Sequence, residues 1–499
     1  MKDLLIGIDL GTTASKVVVF DKEGHEIASA SEGYLVYYPD QGYAEQDPYE
    51  WWEAIATAIA TCIDKGNIDP HDIKGIGIDG QSWSAIPIDK DGNVLANTPI
   101  WMDTRSAAIC QELEDRIGKD KIERLSGNTL SATYSTGKIL WYKENMPDMY
   151  AKIDKILQSN SYIVYRLTGK ISQDISQAYG FHFFDIEKGV WDDDMREAMG
   201  IPASFIPPIS NCDEVVGYVT EEAAKKCHLV PGIPVVAGGL DAAMGALGVG
   251  VLKEGQTQEY GGTSCGFSIC MESFHYDPRM VLCRHVVPDK WLMQAGSNAG
   301  GHIMKWLQDQ LGDCGKLIDP EKNTLDLYNE LAEMVPAGSE GLVFLPYMNG
   351  ERTPIWNPTA KGVWFGLDYN KTTGHLIRSA MEGVVFVERH NLDVAKSTGA
   401  KITDMLATGG STKSRLWTQM KADVLQVPVL IPKADEATAL GSAILAGVGV
   451  GVYDSYEEAI ALTMDVKKRY EPSTKDLETY EKSYKLYREV YEATKHLMK

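Results

Sequence analysis

The sequence predicts an α/β protein built from two related halves, and three observations predict it. The chain opens strand, strand, strand, helix, strand, an order with which a plain βαβ dinucleotide fold does not begin. The opening hairpin 6-IGIDLGTTASKVVVF-20 carries Gly-Thr-Thr at its tip, and 256-QTQEYGGTSCGFSIC-270 repeats the plan as strand–GGTS–strand. A chain of 499 residues is also too long for a single hydrophobic core. The boundary is expected at 246–256, giving units of 1–248 and 249–499.

The elements follow in order. LLIGID and KVVVF are aliphatic and β-branched runs of strand length, and 21-DKEG-24 is a hairpin-type turn. Asp47-Pro48-Tyr49-Glu50 opens a helix: Asp47 caps it, Pro48 takes the first helical position and Glu50 is placed to bond back. The stretch 73-IKGIGIDG-80 reads as a buried strand ending in acid and glycine, and 85-AIPIDKDGNVL-95 as a second hairpin. The segment 234-PVVAGGLDAAMGALGVG-250 is a strand that ends in Gly238, Gly239 and Asp241 and then enters small residues. The stretch 403-TDMLATGGSTKSRLW-417 is a third glycine-ended strand, leading into a helix that Ser411 or Thr412 is expected to cap. The tail, 468–499, reads as one charged amphipathic helix.

Composition narrows the function classes. The 48 basic and 70 acidic residues give a formal net charge of −22. Such a surface repels nucleic acid and anionic membrane, so the expected partner is a small molecule. The N-terminus meets charge and glycine too early for a signal segment, and no apolar run reaches the ~20 residues of a membrane span. The eight cysteines show no CxxC pair and no framework spacing, which points to reduced thiols in a cytoplasmic protein. Without HExxH or a Cys/His cluster, a structural metal is not expected.

The two glycine hairpins carry the chemistry. A tight tip with Gly and Thr aims backbone N–H groups and hydroxyls at one point, which suits phosphate oxygens. Two such tips facing each other would grip a nucleotide's phosphates from both sides, and Asp9 and Asp241 nearby would bring in Mg²⁺.

At these residues the chain resembles the FGGY carbohydrate kinases over about residues 4–485, most closely their xylulokinase-like branch. The opening 7-GIDLGTTASK-16 looks like the family's first phosphate loop. The stretches 135-STGKILWYKEN-145 and 362-GVWFGLDYNKTTGHLIRSAMEG-383 look like its two signatures, and 238-GGLD-241 and 409-GGSTKSRLW-417 like its catalytic and adenosine segments. The resemblance implies two actin-like, ribonuclease H-like ATPase domains with ATP and sugar meeting in the cleft between them. It implies that Asp241 is the general base and that Asp9, with Asp241 beside it, helps hold Mg²⁺. It places Thr12, Thr13, Lys16, Gly262 and Thr263 on the phosphates and Gly409, Gly410 and Ser411 at the adenosine. Gln81, Ser82, Trp83, Trp101, Asp103 and Arg105 are then expected near the sugar.

The sugar end departs from the xylulokinase pattern. Gly-Gln-Met-His-Gly reads Gly80-Gln81-Ser82-Trp83-Ser84 here, and Ala242 rather than Asn follows the base. Trp83 offers a flat face and one donor where His would also accept. The resemblance therefore implies an ATP- and Mg²⁺-dependent ketopentose kinase, D-xylulose first, with ribulose, a ketohexose or a sugar alcohol as alternatives. It implies a possible homodimer. A reading of another class, an actin- or Hsp70-like ATPase switch, shares the same core.

Overall fold

The computed structural model describes residues 3–318, 324–433 and 436–499. The first half is built on β1 (Leu4–Leu10), β2 (Ala14–Phe20), β3 (Glu26–Gly33), α1 (Pro48–Lys65), β4 (Ile73–Gly80), α2 (Ser135–Asn145), β5 (Val215–Tyr218), β6 (Pro234–Val236) and α3 (Asp241–Gly248). Its sheet runs β5-β6-β4-β1-β2-β3, with β1, β2 and β3 antiparallel and β1, β4 and β6 parallel.

The second half has β7 (Gln256–Gly261), β8 (Cys265–Met271), β9 (Val281–Arg284), β10 (Trp291–Ser297), α4 (Thr373–Ser397), β11 (Asp404–Thr408), α5 (Arg415–Leu425), β12 (Val429–Pro432), α6 (Ala437–Gly449), β13 (Val466–Tyr470) and α7 (Leu477–Thr494). Its sheet runs β9-β10-β8-β7-β11-β12-β13, again a three-strand meander with two parallel strands beside its first strand. The two sheets thus share one plan, that of the actin-like, ribonuclease H-like domain.

Local signals hold where the chain is its own partner. Asp47 caps α1 by accepting from the Tyr49 amide, with Pro48 at the first position. The 21–24 turn closes with Gly24 at φ +80°. Other local expectations need correction. Glu50 does not return to the cap; it accepts from the Tyr37 hydroxyl at 2.6 Å. Neither Ser411 nor Thr412 caps the helix after β11. Residues 410–413 first make a 3-10 turn, and the Ser414 hydroxyl accepts from Trp417 N at 3.1 Å to start α5. The tail is not one helix: β13 pairs with β12 before α7 begins.

The halves exchange helices. Gly7 and Gly77 face each other in the parallel pairing of β1 and β4. A Cβ on Gly7 would lie 1.9 Å from the Ala439 carbonyl oxygen, and one on Gly77 1.9 Å from that of Ser442. The two glycines form a slot into which α6, from the second half, sinks against the first sheet. α3 and α6 cross as closely, since a Cβ on Gly441 would meet Met244 O at 2.0 Å. The small-residue run of the sequence is therefore a helix-crossing surface. Gly77→Ala should cost about 2–3 kcal/mol by forcing α6 off the sheet. A urea-unfolding midpoint equal to wild type would contradict this.

Among the described residues no helix is long and apolar enough to cross a membrane. The seven cysteines described, including Cys62, Cys212 and Cys283, are unpaired and buried.

Candidate active site

A cleft of about 1000 Å³ runs between the halves. Its lining includes Asp9, Thr12, Ser82, Trp83, Trp101 and Asp241 from the first half and Ser264, Gly409, Gly410 and Thr412 from the second. Sequence-distant expectations thus meet in one cavity.

Asp9 ends β1, paired in register with Lys16 on β2 and with Asp79 on β4. Parallel neighbours bring their carboxyl ends to one edge, which is where such sheets bind ligands. Asp79 is fully buried. One of its oxygens accepts from the Ser442 hydroxyl at 2.7 Å, and the other has no N–H or hydroxyl donor. Asp79 and Asp9 hydrogen-bond to each other, and burial raises both carboxyls above their ordinary value. Asp79 is raised well above it, because it is fully buried and faces the Asp9 carboxylate. Asp79 was visible only as the acid at the end of a buried strand.

Asp241 opens α3 after the Gly239–Leu240 strand, which lies beside Asp79 and Gly80 of β4. Burial pushes its carboxyl up to about 7; its own bond from Ala242 N opposes this and the Asp9 charge adds to it. It is poised to exchange a proton near neutral pH.

The remaining first-half residues divide. Trp101 donates to the Thr12 hydroxyl at 3.0 Å and ties its loop to the Gly-Thr-Thr hairpin. Trp83 sits at φ +63°, stacked on Tyr134 at 4.1 Å, and its buried indole N–H has no partner. A bulky residue held in the left-handed region is strained and persists only where its surroundings impose it. Lys138 imposes it: fully buried, it donates to the carbonyls of Trp83 and Ile100 at 2.8 Å each. Burial lowers its ammonium to about 7. Lys138, within the 135–145 signature stretch, is a strut between the two tryptophan loops. Lys138→Met should raise the sugar KM about tenfold with ATP KM unchanged, because two carbonyls lose their donor and Trp83 relaxes. Equal sugar KM in initial-rate assays would contradict this.

Gln81, Asp103 and Arg105 do not line the cleft. Gln81 is buried and donates to Gln46 at 2.7 Å, and Gln46 in turn donates to the Thr12 carbonyl at 2.8 Å. Asp103 and Arg105 form a buried corner: Arg105 grips Asp103 and Glu45 at 2.7 Å each and lies over the Tyr43 ring. Their charges satisfy each other away from the cavity. Lys16 is likewise engaged, with Glu436 at 2.5 Å. Thr13 is exposed beside the tip.

In the second half, Gly262 and Thr263 stand exposed at the hairpin tip, where their carbonyls accept from Gly301 N and His302 N. Ser264, one residue on, lines the cavity instead. Gly409, at φ +85°, lies so close to the hairpin that a Cβ would sit 2.7 Å from Gly261 O. Ser411 turns inward: its hydroxyl accepts from Lys421 at 3.0 Å, and it is buried. Lys421 also holds Glu259 at 2.6 Å and Glu388 at 3.7 Å, all three nearly inaccessible. This buried triad was invisible in the sequence, since its members lie on β7, α4 and α5.

The charged ligands of the cleft are carboxylate oxygens, with Asp9 and Asp241 lining one cavity. That all-oxygen set suits Mg²⁺, which takes one or two carboxylates together with phosphate oxygens.

Known proteins share this fold over nearly the whole chain. The N-terminal domain profile of the FGGY family of carbohydrate kinases matches residues 4–248 and the C-terminal domain profile residues 260–450. A xylulose kinase of Staphylococcus epidermidis is 31% identical over 500 residues, covering 100% of this chain and 98% of that protein. The crystal structure of ligand-bound xylulose kinase from Lactobacillus acidophilus superposes with a TM-score of 0.90 at 28% identity, covering 98% of both chains. Gluconate kinase from the same organism superposes with a TM-score of 0.90 at 27% identity, covering 99% of this chain and 98% of the other. With both domain profiles matched, a full-length relative and the two-sheet cleft in place, the chain belongs to the FGGY family of carbohydrate kinases.

Proposed function

We propose that the protein transfers the γ-phosphoryl group of ATP to a terminal hydroxyl of a ketopentose, D-xylulose first. The units 1–248 and 249–499 would close over the substrates, in the cytoplasm and as a homodimer. The observation that carries the reading is Asp241, a half-buried carboxyl raised to about 7 in the same cleft as Thr12 and Gly409. The name shared by many relatives supplies the choice of sugar.

The chain's residues account for the steps. Thr12, Ser264 and the backbone at 409–410 would orient the phosphates, with the adenosine beside Gly410 and Thr412. Asp9 and Asp241 would hold Mg²⁺, which neutralises phosphate charge when bound. Asp241 takes the proton from the sugar hydroxyl. The sugar oxygen bonds to the γ-phosphorus, and the bond from that phosphorus to the β–γ bridging oxygen breaks. ADP leaves with the electron pair. Closure of the halves keeps water from taking the phosphoryl group. Trp83 and Trp101 would flank the sugar, with the Trp83 indole N–H free to donate.

The test is ADP release with ATP and Mg²⁺ over ketopentoses, ketohexoses, polyols and D-gluconate. One strong response to a ketopentose supports the reading. Steady hydrolysis that no sugar stimulates would sink it in favour of an ATPase switch.

A further inference from the structure

Arg352 is a cation of the cleft that the mechanism above does not use. It lines the cavity on the wall formed by Tyr260, Gln294 and Gly296. Its guanidinium lies against Gly296, where a Cβ would sit 2.8 Å from one terminal nitrogen. Glycine is what lets the plane settle there. Its Nε is buried and has no hydrogen-bond partner among the described residues.

Glu351, next to it in the chain, feels its charge but bonds elsewhere. The adjacent Glu351 is occupied: one oxygen accepts from the Ser297 hydroxyl at 2.6 Å, the other from Asn298 N at 2.9 Å and Arg352 N at 2.7 Å. Among the described residues no carboxylate forms an ion pair with the Arg352 side chain. By contrast Lys16 is bound to Glu436. Lys413 and Lys467, the other cations of the lining, stand on the 410–413 turn and on β13, at the proposed nucleotide end. Tyr260, Gln294 and Gly296 share its stretch of the wall, in the same cavity as Asp241. A partly desolvated guanidinium with a free donor edge is a site for a negatively charged oxygen.

We propose that Arg352 is an oxyanion-binding catalytic residue, contacting the phosphoryl group as it passes to the sugar and holding it in the product. The inference rests on the kinase reading. The same chemistry would serve the carboxylate of a sugar acid, and the experiment separates the two sources.

Binding is measured by calorimetry without nucleotide, using D-xylulose, D-xylulose 5-phosphate and D-gluconate, alongside initial rates. Arg352→Gln should weaken D-xylulose 5-phosphate about tenfold or more and leave D-xylulose within about twofold. Its kcat should fall about 100-fold with ketose KM little changed, and Arg352→Lys should recover part of it. Gly296→Ala, which displaces the guanidinium without removing it, should weaken the sugar phosphate in the same direction. If only D-gluconate binding is lost, the oxyanion is a substrate carboxylate and Arg352 selects the acceptor. Unchanged binding of both anions and unchanged kcat in a folded Arg352→Gln protein would overturn the proposal. A wild-type protein that turns over no sugar defeats the kinase reading instead, and the anion-binding comparison then decides Arg352 alone.

Discussion

Asp241→Asn is expected to lower kcat by about 10³-fold while the affinity for ATP stays nearly intact. The amide keeps the shape of the side chain and cannot take the sugar proton. Because burial holds the wild-type carboxyl at about 7, kcat/KM should rise with pH through about 7 and level off above it. The stability effect has the opposite sign. The unfolded chain loses this proton near pH ~4, while the folded chain keeps it up to about 7, so the site costs stability as pH rises through that window. Asp241→Asn removes that cost. Its melting temperature should therefore gain on wild type more at pH 8 than at pH 5. Stopped-flow or coupled ADP assays give the rate, and thermal melts give the second readout. Near-normal turnover would remove Asp241 from the mechanism.

Lys421→Met should be the most destabilising single change of those considered, by about 3–5 kcal/mol. The ammonium offsets Glu259 and Glu388 inside the second half, and all three are at most 2% exposed. Without it two buried carboxyls must be protonated for the chain to fold. Burial already raises both carboxyls, and the Lys421 ammonium opposes that rise on each. The folded variant would hold two protons that the unfolded chain releases above pH ~4.5, so the penalty should grow from pH 5 to pH 8. Adding Glu259→Gln should recover part of it. Lys421 also donates to Ser411 under the 409–411 turn, so ATP KM should rise in the surviving folded protein. Urea unfolding at the two pH values measures the first effect; a pH-independent loss would contradict the account of shared charge.

The strands, turns and first helix cap were legible because each depends on residues close in the chain. Asp47-Pro48 starts a helix by its own geometry, and the Gly-Thr and Gly-Gly-Thr tips close hairpins wherever they are placed. The repeat of those hairpins disclosed two like halves, and the acids beside them named the chemistry. The resemblance drawn from these motifs supplied the family. Expectations failed where a side chain had more than one partner within reach. Glu50 met Tyr37, and Ser414 was better placed than Ser411; Arg105 pairs with Asp103 and Glu45 and does not line the cleft.

The sequence by itself determined the two-sheet plan, the glycine hairpins and the presence of Asp9 and Asp241, since periodicity and turn chemistry act over a few residues. Only the tertiary structure decided which groups share the cleft. Asp79 reaches Asp9 through parallel strand pairing, Lys138 braces Trp83 from a distant helix, and Arg352 lines the cavity while Glu351 bonds Ser297 and Asn298. Burial then sets the charge of each group, and burial is a property of the folded neighbours.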